Sequence, residues 1–391
     1  MTMPIFKLSA QEALLCKVLA DCNSDAREDT AMRFIEEIGD EKAFLLAQAN
    51  GVSSVVAHTL MDAYGAEDVP AHWVRVHEEN FRRISAYLAE LDRVAGILAD
   101  DGIKLVALKN GGIARGIYSC PGCCPMGDLD TLVEKDHFRR AYKILLEDGY
   151  EFEFRSPLEE AVLEAAEKGG GAEYWKILPG GEKLWFELQW RSVAGRWIRP
   201  DQEPIAEELM CRSVTVSGTD VRILSPEDNL LQVALHTAKH SYVRAPGFRL
   251  HLDVIRIVKE QTIDWDVFVK RVLQLQVKTP VFFSLAIPKI LFNTPIPDDV
   301  LECFKPPKWK MDFITKWLQK ISLFNPDEKK FGRIGYIIFT ALLYDDLKGF
   351  WSNLFPDRER MMEKYGMGKD CSLFGLHLKR LFDLTFKRAE T

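Results

Sequence analysis

Three acidic residues stand where carboxylates can be brought together around a metal ion. Side chains of a strand alternate between two faces, so Asp128 and Asp130 share one face and Leu129 the other. Glu187 stands between apolar residues in a second strand-like segment, where burying an unpaired acid is costly. Clustered oxygen ligands suit Mg²⁺ better than zinc. The pattern predicts a magnesium site, and the alternative is a set of solvated acids at a strand edge.

A glycine-containing segment precedes the aspartates. An apolar run ends at Lys109 and is followed by Asn110, Gly111 and Gly112, which predict a turn whose backbone N–H groups can approach an anion. Lys109 is a candidate to neutralise phosphate charge, and the alternative is a solvated strand end. A glycine turn followed by paired carboxylates indicates a site for a metal-bound triphosphate.

The hydrophobic pattern divides the chain into three parts that would position these residues. Residues 1–98 and 225–391 carry apolar residues at three- and four-residue spacing, which is typical of helices. Residues 99–224 alternate between helix-like and strand-like segments. We predict an α+β fold with a sheet-containing core (99–224), an N-terminal helical region (1–98) and a C-terminal helical domain (225–391). The predicted strands are 104–108, 128–134, 150–154, 174–178 and 183–190, with a hairpin at 214–224. The main predicted helices from the core onward are 113–118, 136–147, 157–168, 225–242, 244–260 and 265–277.

Composition restricts the classes of function. The chain has 391 residues and a formal net charge of −7, so no overall basic field attracts nucleic acid, although a local patch for a tRNA-sized acceptor stays open. The N-terminus lacks the basic segment and apolar core of a signal peptide. No apolar run approaches the roughly 20 residues that span a bilayer. We predict a cytoplasmic protein with reduced cysteines and no membrane partner.

Five residues of the C-terminal part are candidates for roles beside the acids. Lys239, Arg244 and Arg249 could clamp a nucleotide, because fixed cations stabilise transferring phosphoryl groups. Taken singly, each of them can equally be a surface charge or an ion-pair partner. His236 and His240 have a spacing that can bind zinc, but they lack the glutamate of the metalloprotease motif. We interpret them as packing or hydrogen-bonding histidines near the cleft.

Cysteines cluster in the loop CPGCC, at Cys120, Cys123 and Cys124. A C-x-x-C pair can begin a zinc site, but the sequence offers no second pair at finger-like spacing. Metal binding, a redox-sensitive loop and a plain loop are the alternatives, and we favour the plain loop.

The segment 108–133 resembles the nucleotidyltransferase superfamily, which has the polymerase-beta-like fold. More closely, the chain resembles the group called uncharacterised nucleotidyltransferases, which often accompany peptide natural-product clusters such as those of lasso peptides. The resemblance covers nearly the whole chain and is most specific in this segment and in the strand around Glu187. The matching residues are Leu108, Lys109, Gly111, Gly112, Tyr118, Pro121, Gly122, Pro125, Met126, Gly127, Asp128, Leu129, Asp130, Leu132, Val133, Glu187, Leu188, Trp190 and Arg191.

The resemblance implies a mixed β-sheet and an Mg²⁺-dependent transfer of NMP from an NTP to a hydroxyl, with release of pyrophosphate. ATP is the favoured donor. Asp128 and Asp130 would hold two Mg²⁺ ions, and Glu187 would share the second ion or take the acceptor proton. Gly111 and Gly112 would offer backbone amides to the β- and γ-phosphates. A small molecule or peptide is the favoured acceptor, and an RNA end is possible.

Three departures from the group's pattern keep other functions open. Asn110 replaces the turn glycine, Cys124 replaces an arginine at the edge of the phosphate pocket, and Gln189 replaces a histidine in the strand of the third acid. One alternative is a catalytically degenerate nucleotide-binding module in a biosynthetic assembly. Another is a toxin-like nucleotidyltransferase that modifies tRNA.

Overall fold

A seven-stranded mixed β-sheet lies at the centre of the fold. The computed structural model describes residues 6–20, 27–118, 120–153, 163–193, 198–356, 358, 361–362 and 372–386. The strands are β1 (Leu105–Ala107), β2 (Asp128–Leu132), β3 (Glu151–Phe152), β4 (Gly171–Ile177), β5 (Lys183–Gln189), β6 (Val214–Thr215) and β7 (Val221–Ile223). They follow the order β3-β4-β5-β2-β1-β7-β6. The β1–β7 and β2–β5 pairs are parallel and the other pairs are antiparallel, which confirms the predicted α+β class.

The register between β2 and β5 places the acids side by side. These neighbouring strands run parallel, and Asp130 lies directly opposite Glu187. Leu129 and Phe186 point to the other face and are fully buried in the main hydrophobic core. The alternation read from the sequence is therefore confirmed, because apolar residues anchor one face while the carboxylates share the other.

Helices of the N-terminal part pack against one side of this core. They are α1 (Ala10–Ala20), α2 (Arg27–Ile38), α3 (Asp40–Ala49), α4 (Ser53–Tyr64) and α5 (Ala71–Asp100). The longest, α5, buries Ile84, Leu91, Val94 and Leu98 at helical spacing. Its C-terminal end leads directly into β1.

The remaining helices complete the core and the C-terminal part. Those between the strands are α6 (Lys109–Gly116), α7 (Phe138–Glu147), α8 (Leu163–Gly169) and α9 (Ala206–Arg212). After the sheet come α10 (Pro226–Lys239), α11 (Arg249–Glu260), α12 (Trp265–Leu275), α13 (Lys278–Phe292), α14 (Asp298–Phe304), α15 (Lys308–Leu318), α16 (Arg333–Leu342), α17 (Leu347–Leu354) and α18 (Leu373–Phe386). One continuous apolar cluster joins both helical parts to the sheet. Among the described residues, no helix combines the length and apolarity needed to cross a bilayer.

Several predicted boundaries are wrong for local reasons. The helix predicted at 113–118 begins at Lys109, so the glycines belong to its first turn and do not precede it. The helix predicted at 225–242 begins as expected, with Ser225 as N-cap and Pro226 at the first position, but it ends at Lys239. The helix predicted at 244–260 begins only at Arg249, because Pro246 and Gly247 interrupt it. Residues 157–162 of the predicted helix 157–168 lie outside the described residues, and α8 covers its end.

Candidate active site

The three predicted acids meet at one point. A carboxylate oxygen from each of Asp128, Asp130 and Glu187 lies within 4.8 Å of the others. Asp130 is buried, whereas Asp128 and Glu187 are half-buried and remain accessible from solvent. The convergence confirms the geometry expected from the sequence. Such an oxygen-only donor set with an open side is suited to a hard divalent cation that keeps water or substrate ligands.

Lys109 supplies a positive charge to this cluster. Its Nζ lies 2.5 Å from Asp130 Oδ1, and both side chains are largely buried. The residue has a φ of 51°, in the left-handed region, at the junction between β1 and α6. Burial by itself lowers the pKa of Lys109, but the charges of the three acids raise it above its ordinary value. Lys109 is therefore an ammonium ion that contacts the acids, not a solvated strand end.

Gln189 is the second partner of the buried aspartate. Its Nε2 donates a hydrogen bond of 3.1 Å to Asp130 Oδ1. Burial raises the pKa of Asp130 to about 6, with Lys109 acting in the opposite direction. At neutral pH the carboxylate is thus charged and held by two donors. The glutamine that replaces the group's histidine keeps a hydrogen bond to the acid cluster.

Gly111 and Gly112 of α6 differ in how closely their neighbours pack against them. Gly112 donates its N–H to the carbonyl of Leu108 at 3.2 Å, and a Cβ on Gly112 would lie 2.6 Å from the carbonyl oxygen of Ala107. This position therefore has to be glycine for close packing of the helix on β1. A Cβ on Gly111 would meet only Leu129 Cδ2, at an ordinary 3.4 Å. Phosphate contact by these amides stays a prediction, with Gly111 the freer of the two.

A charged face of α11 completes the surroundings, and the sequence interpretation missed one of its three residues, Arg256. Arg249, Asp253 and Arg256 follow one another at spacings of four and three residues, on one face of a helix whose other buried residues are mostly apolar. Asp253 and Arg256 are buried. Asn110 Nδ2 donates to Asp253 Oδ2 at 3.4 Å, which ties α6 to α11. The i, i+4, i+7 pattern of charges among apolar residues is the signal that could have revealed this face.

Of the three predicted cations of the C-terminal part, Arg249 is the one whose guanidinium is affected by the charge of Asp128. Burial lowers the pKa of its guanidinium, against the opposing charges of Asp253 and Asp128. Its Nε is buried and has no hydrogen-bond partner among the described residues. A desolvated donor of this kind favours an anionic ligand, because an unmet hydrogen bond is costly.

Arg256 lies next to Cys124, the residue that replaces an arginine of the resembled group. Its Nη1 lies 3.6 Å from Cys124 Sγ, and its Nη2 donates to the carbonyl of Cys123. Its guanidinium also stacks over the ring of Tyr118, with 4.8 Å between Cζ and the centroid. A cation from α11 thus stands beside the position of Cys124.

The other predicted cations, Lys239 and Arg244, lie near a pair of histidines. His236 and His240 are in edge contact, with ring centroids 4.8 Å apart. Burial, aided by nearby cations including Lys109 and Lys239, lowers the pKa of His236 well below its ordinary value and that of His240 to about 3. Both rings are therefore neutral at pH 7. Arg244 stacks over Tyr336 of α16, 4.7 Å from Cζ to the centroid.

Comparison with known proteins places this site in a family. A family model described as uncharacterised nucleotidyltransferase matches residues 36–293, which is more than half of the chain. The match includes the acids, Lys109 and both α10 and α11. No curated protein and no solved structure matches the chain. The family description indicates an NTP substrate, a divalent metal and, in general terms, NMP transfer. The chain therefore belongs to the uncharacterised nucleotidyltransferase family and is a transferase enzyme.

Proposed function

We propose that this enzyme is an Mg²⁺-dependent nucleotidyltransferase that moves NMP from an NTP, with ATP the favoured donor, to a hydroxyl of a small-molecule or peptide acceptor. The observation that carries the proposal is the convergence of Asp128, Asp130 and Glu187 within 4.8 Å, beside Lys109. In the transfer, the acceptor oxygen bonds to the α-phosphorus, the bond between the α- and β-phosphates breaks, and pyrophosphate leaves.

The acids have complementary roles in this proposal. Asp128 and Asp130 would hold two Mg²⁺ ions, and Glu187 would complete the ligand set or accept the proton of the acceptor hydroxyl. Magnesium bound there neutralises phosphate charge and makes the acceptor hydroxyl more acidic. The pairing of β2 with β5 fixes the carboxylates before the substrate arrives, which reduces the reorganisation needed during reaction.

Cations on α6 and α11 would bind the triphosphate. Lys109 donates to Asp130 and balances its negative charge. With the charge of the acids balanced by bound metal ions, the Lys109 ammonium would be available to phosphate oxygens. Arg249 has a buried donor without a partner among the described residues, which supports a role on the same anion. Lys239, near the histidine pair, and Arg244, on Tyr336, are proposed to act further from the transferring phosphorus.

The proposal is tested by incubating the full chain with α-labelled ATP, CTP, GTP or UTP, Mg²⁺ and pools of candidate acceptors. We expect a mass gain of one nucleoside monophosphate on an acceptor, with release of pyrophosphate. Asp130→Asn should abolish the label transfer and Glu187→Gln should reduce it severely. Asp136→Asn, which alters an exposed acid just after the same strand, is the matched control and should transfer label like the wild type.

Three results would contradict the proposal. Transfer that persists in EDTA would exclude a divalent metal from the reaction. Binding of NTPs with Mg²⁺ dependence but without transfer to any hydroxyl acceptor, RNA ends included, would favour the degenerate nucleotide-binding module. Label transfer to tRNA alone would instead assign the RNA-modifying class.

A further inference from the structure

A second cluster of metal-ligating side chains lies away from the three acids. His58 of α4, His77 of α5, and Cys120 and Cys123 of the CPGCC loop each place a ligand atom within 4.8 Å of the others. The two histidines stack with ring centroids 5.5 Å apart and planes 11° apart. The sequence shows only the C-x-x-C half of this set, because the fold brings both histidines from helices more than 40 residues upstream of the loop.

The nitrogen-to-sulfur distance in this cluster matches a tetrahedral zinc site, whereas the two sulfurs lie closer together than the about 3.8 Å of zinc-bound sulfurs. Zn–S bonds of about 2.3 Å and Zn–N bonds of about 2.0 Å separate tetrahedral ligands by roughly 3.3–3.8 Å. His77 Nε2 lies 3.4 Å from Cys120 Sγ, and the two sulfurs are 3.1 Å apart. The sulfur separation is well beyond the roughly 2.05 Å of a disulfide. Two thiolates with two imidazoles form the donor set that structural zinc sites use.

The loop backbone is organised around the two cysteines. Cys123 donates its N–H to the carbonyl of Cys120 at 3.0 Å, which closes a tight turn and directs both sulfurs to one side. Asn80 Nδ2 of α5 donates to the carbonyl of Gly122 at 2.7 Å. A Cβ on Gly122 would lie 2.4 Å from His77 Nε2, so only glycine lets the loop approach this ring.

A carboxylate supports the other histidine. Asp62 Oδ2 lies 3.5 Å from His58 Nε2, one helical turn away on α4. Metal-bound histidines usually donate their second ring nitrogen to a carboxylate or carbonyl. In the proposed site, this contact would leave Nδ1 of His58 to face the metal.

We propose that His58, His77, Cys120 and Cys123 form a structural Zn²⁺ site that fastens the CPGCC loop to α4 and α5. The loop leads within four residues from Cys124 to Asp128, the first residue of β2. Zinc would thus fix the approach to the acid cluster without touching the substrate. This inference is independent of the proposed transfer reaction.

The test is the metal content of the full chain, purified without chelators and measured by mass spectrometry of the metal. We expect one zinc per chain, lost in Cys120→Ser and in His77→Ala but kept in the control Cys211→Ser, which alters an exposed cysteine on α9. Asp130→Asn should also keep its zinc. Co²⁺ added to the metal-stripped wild-type chain should give thiolate-to-cobalt absorption in the near ultraviolet and tetrahedral bands in the visible, a readout that does not depend on whether a variant folds.

Three results would overturn the zinc proposal. One is a wild-type chain that binds neither Zn²⁺ nor Co²⁺ while both thiols react freely with a thiol reagent. Another is a Cys120–Cys123 disulfide found by non-reducing peptide mapping of the protein as purified. The last is zinc that persists in folded Cys120→Ser, which would place the ion elsewhere.

Discussion

Replacing Lys109 by methionine removes the cation that contacts the acids while keeping most of the aliphatic volume. In the wild type, Lys109 and Asp130 are 12% and 7% exposed, so the aspartate would be left as a buried charge beside Glu187. Losing one partner of a buried ion pair costs about 3–5 kcal/mol. Because Gln189 still donates to Asp130, we expect the low end, about 3 kcal/mol, or roughly a 150-fold fall in the ratio of folded to unfolded protein.

Urea unfolding followed by circular dichroism in EDTA measures this loss. Repeating it with Mg²⁺ should narrow the difference between variant and wild type, because a bound cation compensates the same carboxylates. The matched control is Lys308→Met, which breaks a pair on an 83% exposed lysine and should change stability by less than about 0.5 kcal/mol. If Lys109→Met matches the control in EDTA and Mg²⁺ has no effect on it, Lys109 does not compensate the acid cluster.

Two further predictions concern packing and pH. Gly112→Ala should lower the free energy of unfolding by about 1–3 kcal/mol, because the added Cβ would press on the Ala107 carbonyl. Gly111→Ala is the control and should be neutral or slightly stabilising. Equal urea midpoints for the two variants would contradict the packing role of Gly112. Burial lowers the pKa of His251 from 6.5 to about 4. As the pH falls from 6.5 to about 4, this histidine is protonated in the unfolded chain before it is protonated in the folded chain, so the free energy of unfolding decreases. His251→Gln keeps a donor for the Tyr242 carbonyl and should reduce the dependence of the unfolding free energy on pH between pH 6.5 and 4. If the variant and the wild type show the same pH dependence, His251 is not its source.

The acid cluster was predictable because it depends on local alternation. Asp128 and Asp130 share a face whenever the segment is a strand, and Glu187 joins them once the two strands pair. Their apolar neighbours Leu129 and Phe186 fix the side that faces the core, and therefore fix the side that carries the carboxylates. The alternation of apolar and acidic residues along each strand is therefore enough to predict which face carries the carboxylates.

The partners contributed by distant helices were less predictable. Arg256 reaches Cys124 from 132 positions away, and His58 and His77 reach the cysteine loop only because α4 and α5 pack beside it. Predicted helix boundaries were wrong where the apolar spacing was followed in spite of a helix-breaking residue, as at Pro246 in the predicted helix 244–260. The charged face of α11 was readable in principle, since buried charges on an apolar helix need partners.

The most direct test of the account is electron paramagnetic resonance of Mn²⁺, used in place of Mg²⁺, during titration of the full chain with a non-hydrolysable ATP analogue. We predict that the nucleotide strengthens Mn²⁺ binding to two ions per chain, as expected for a two-metal site, and that Asp130→Asn abolishes this binding while Asp136→Asn retains it. Mn²⁺ and nucleotide binding that is unchanged in folded Asp130→Asn would contradict the assignment of the site to the three acids.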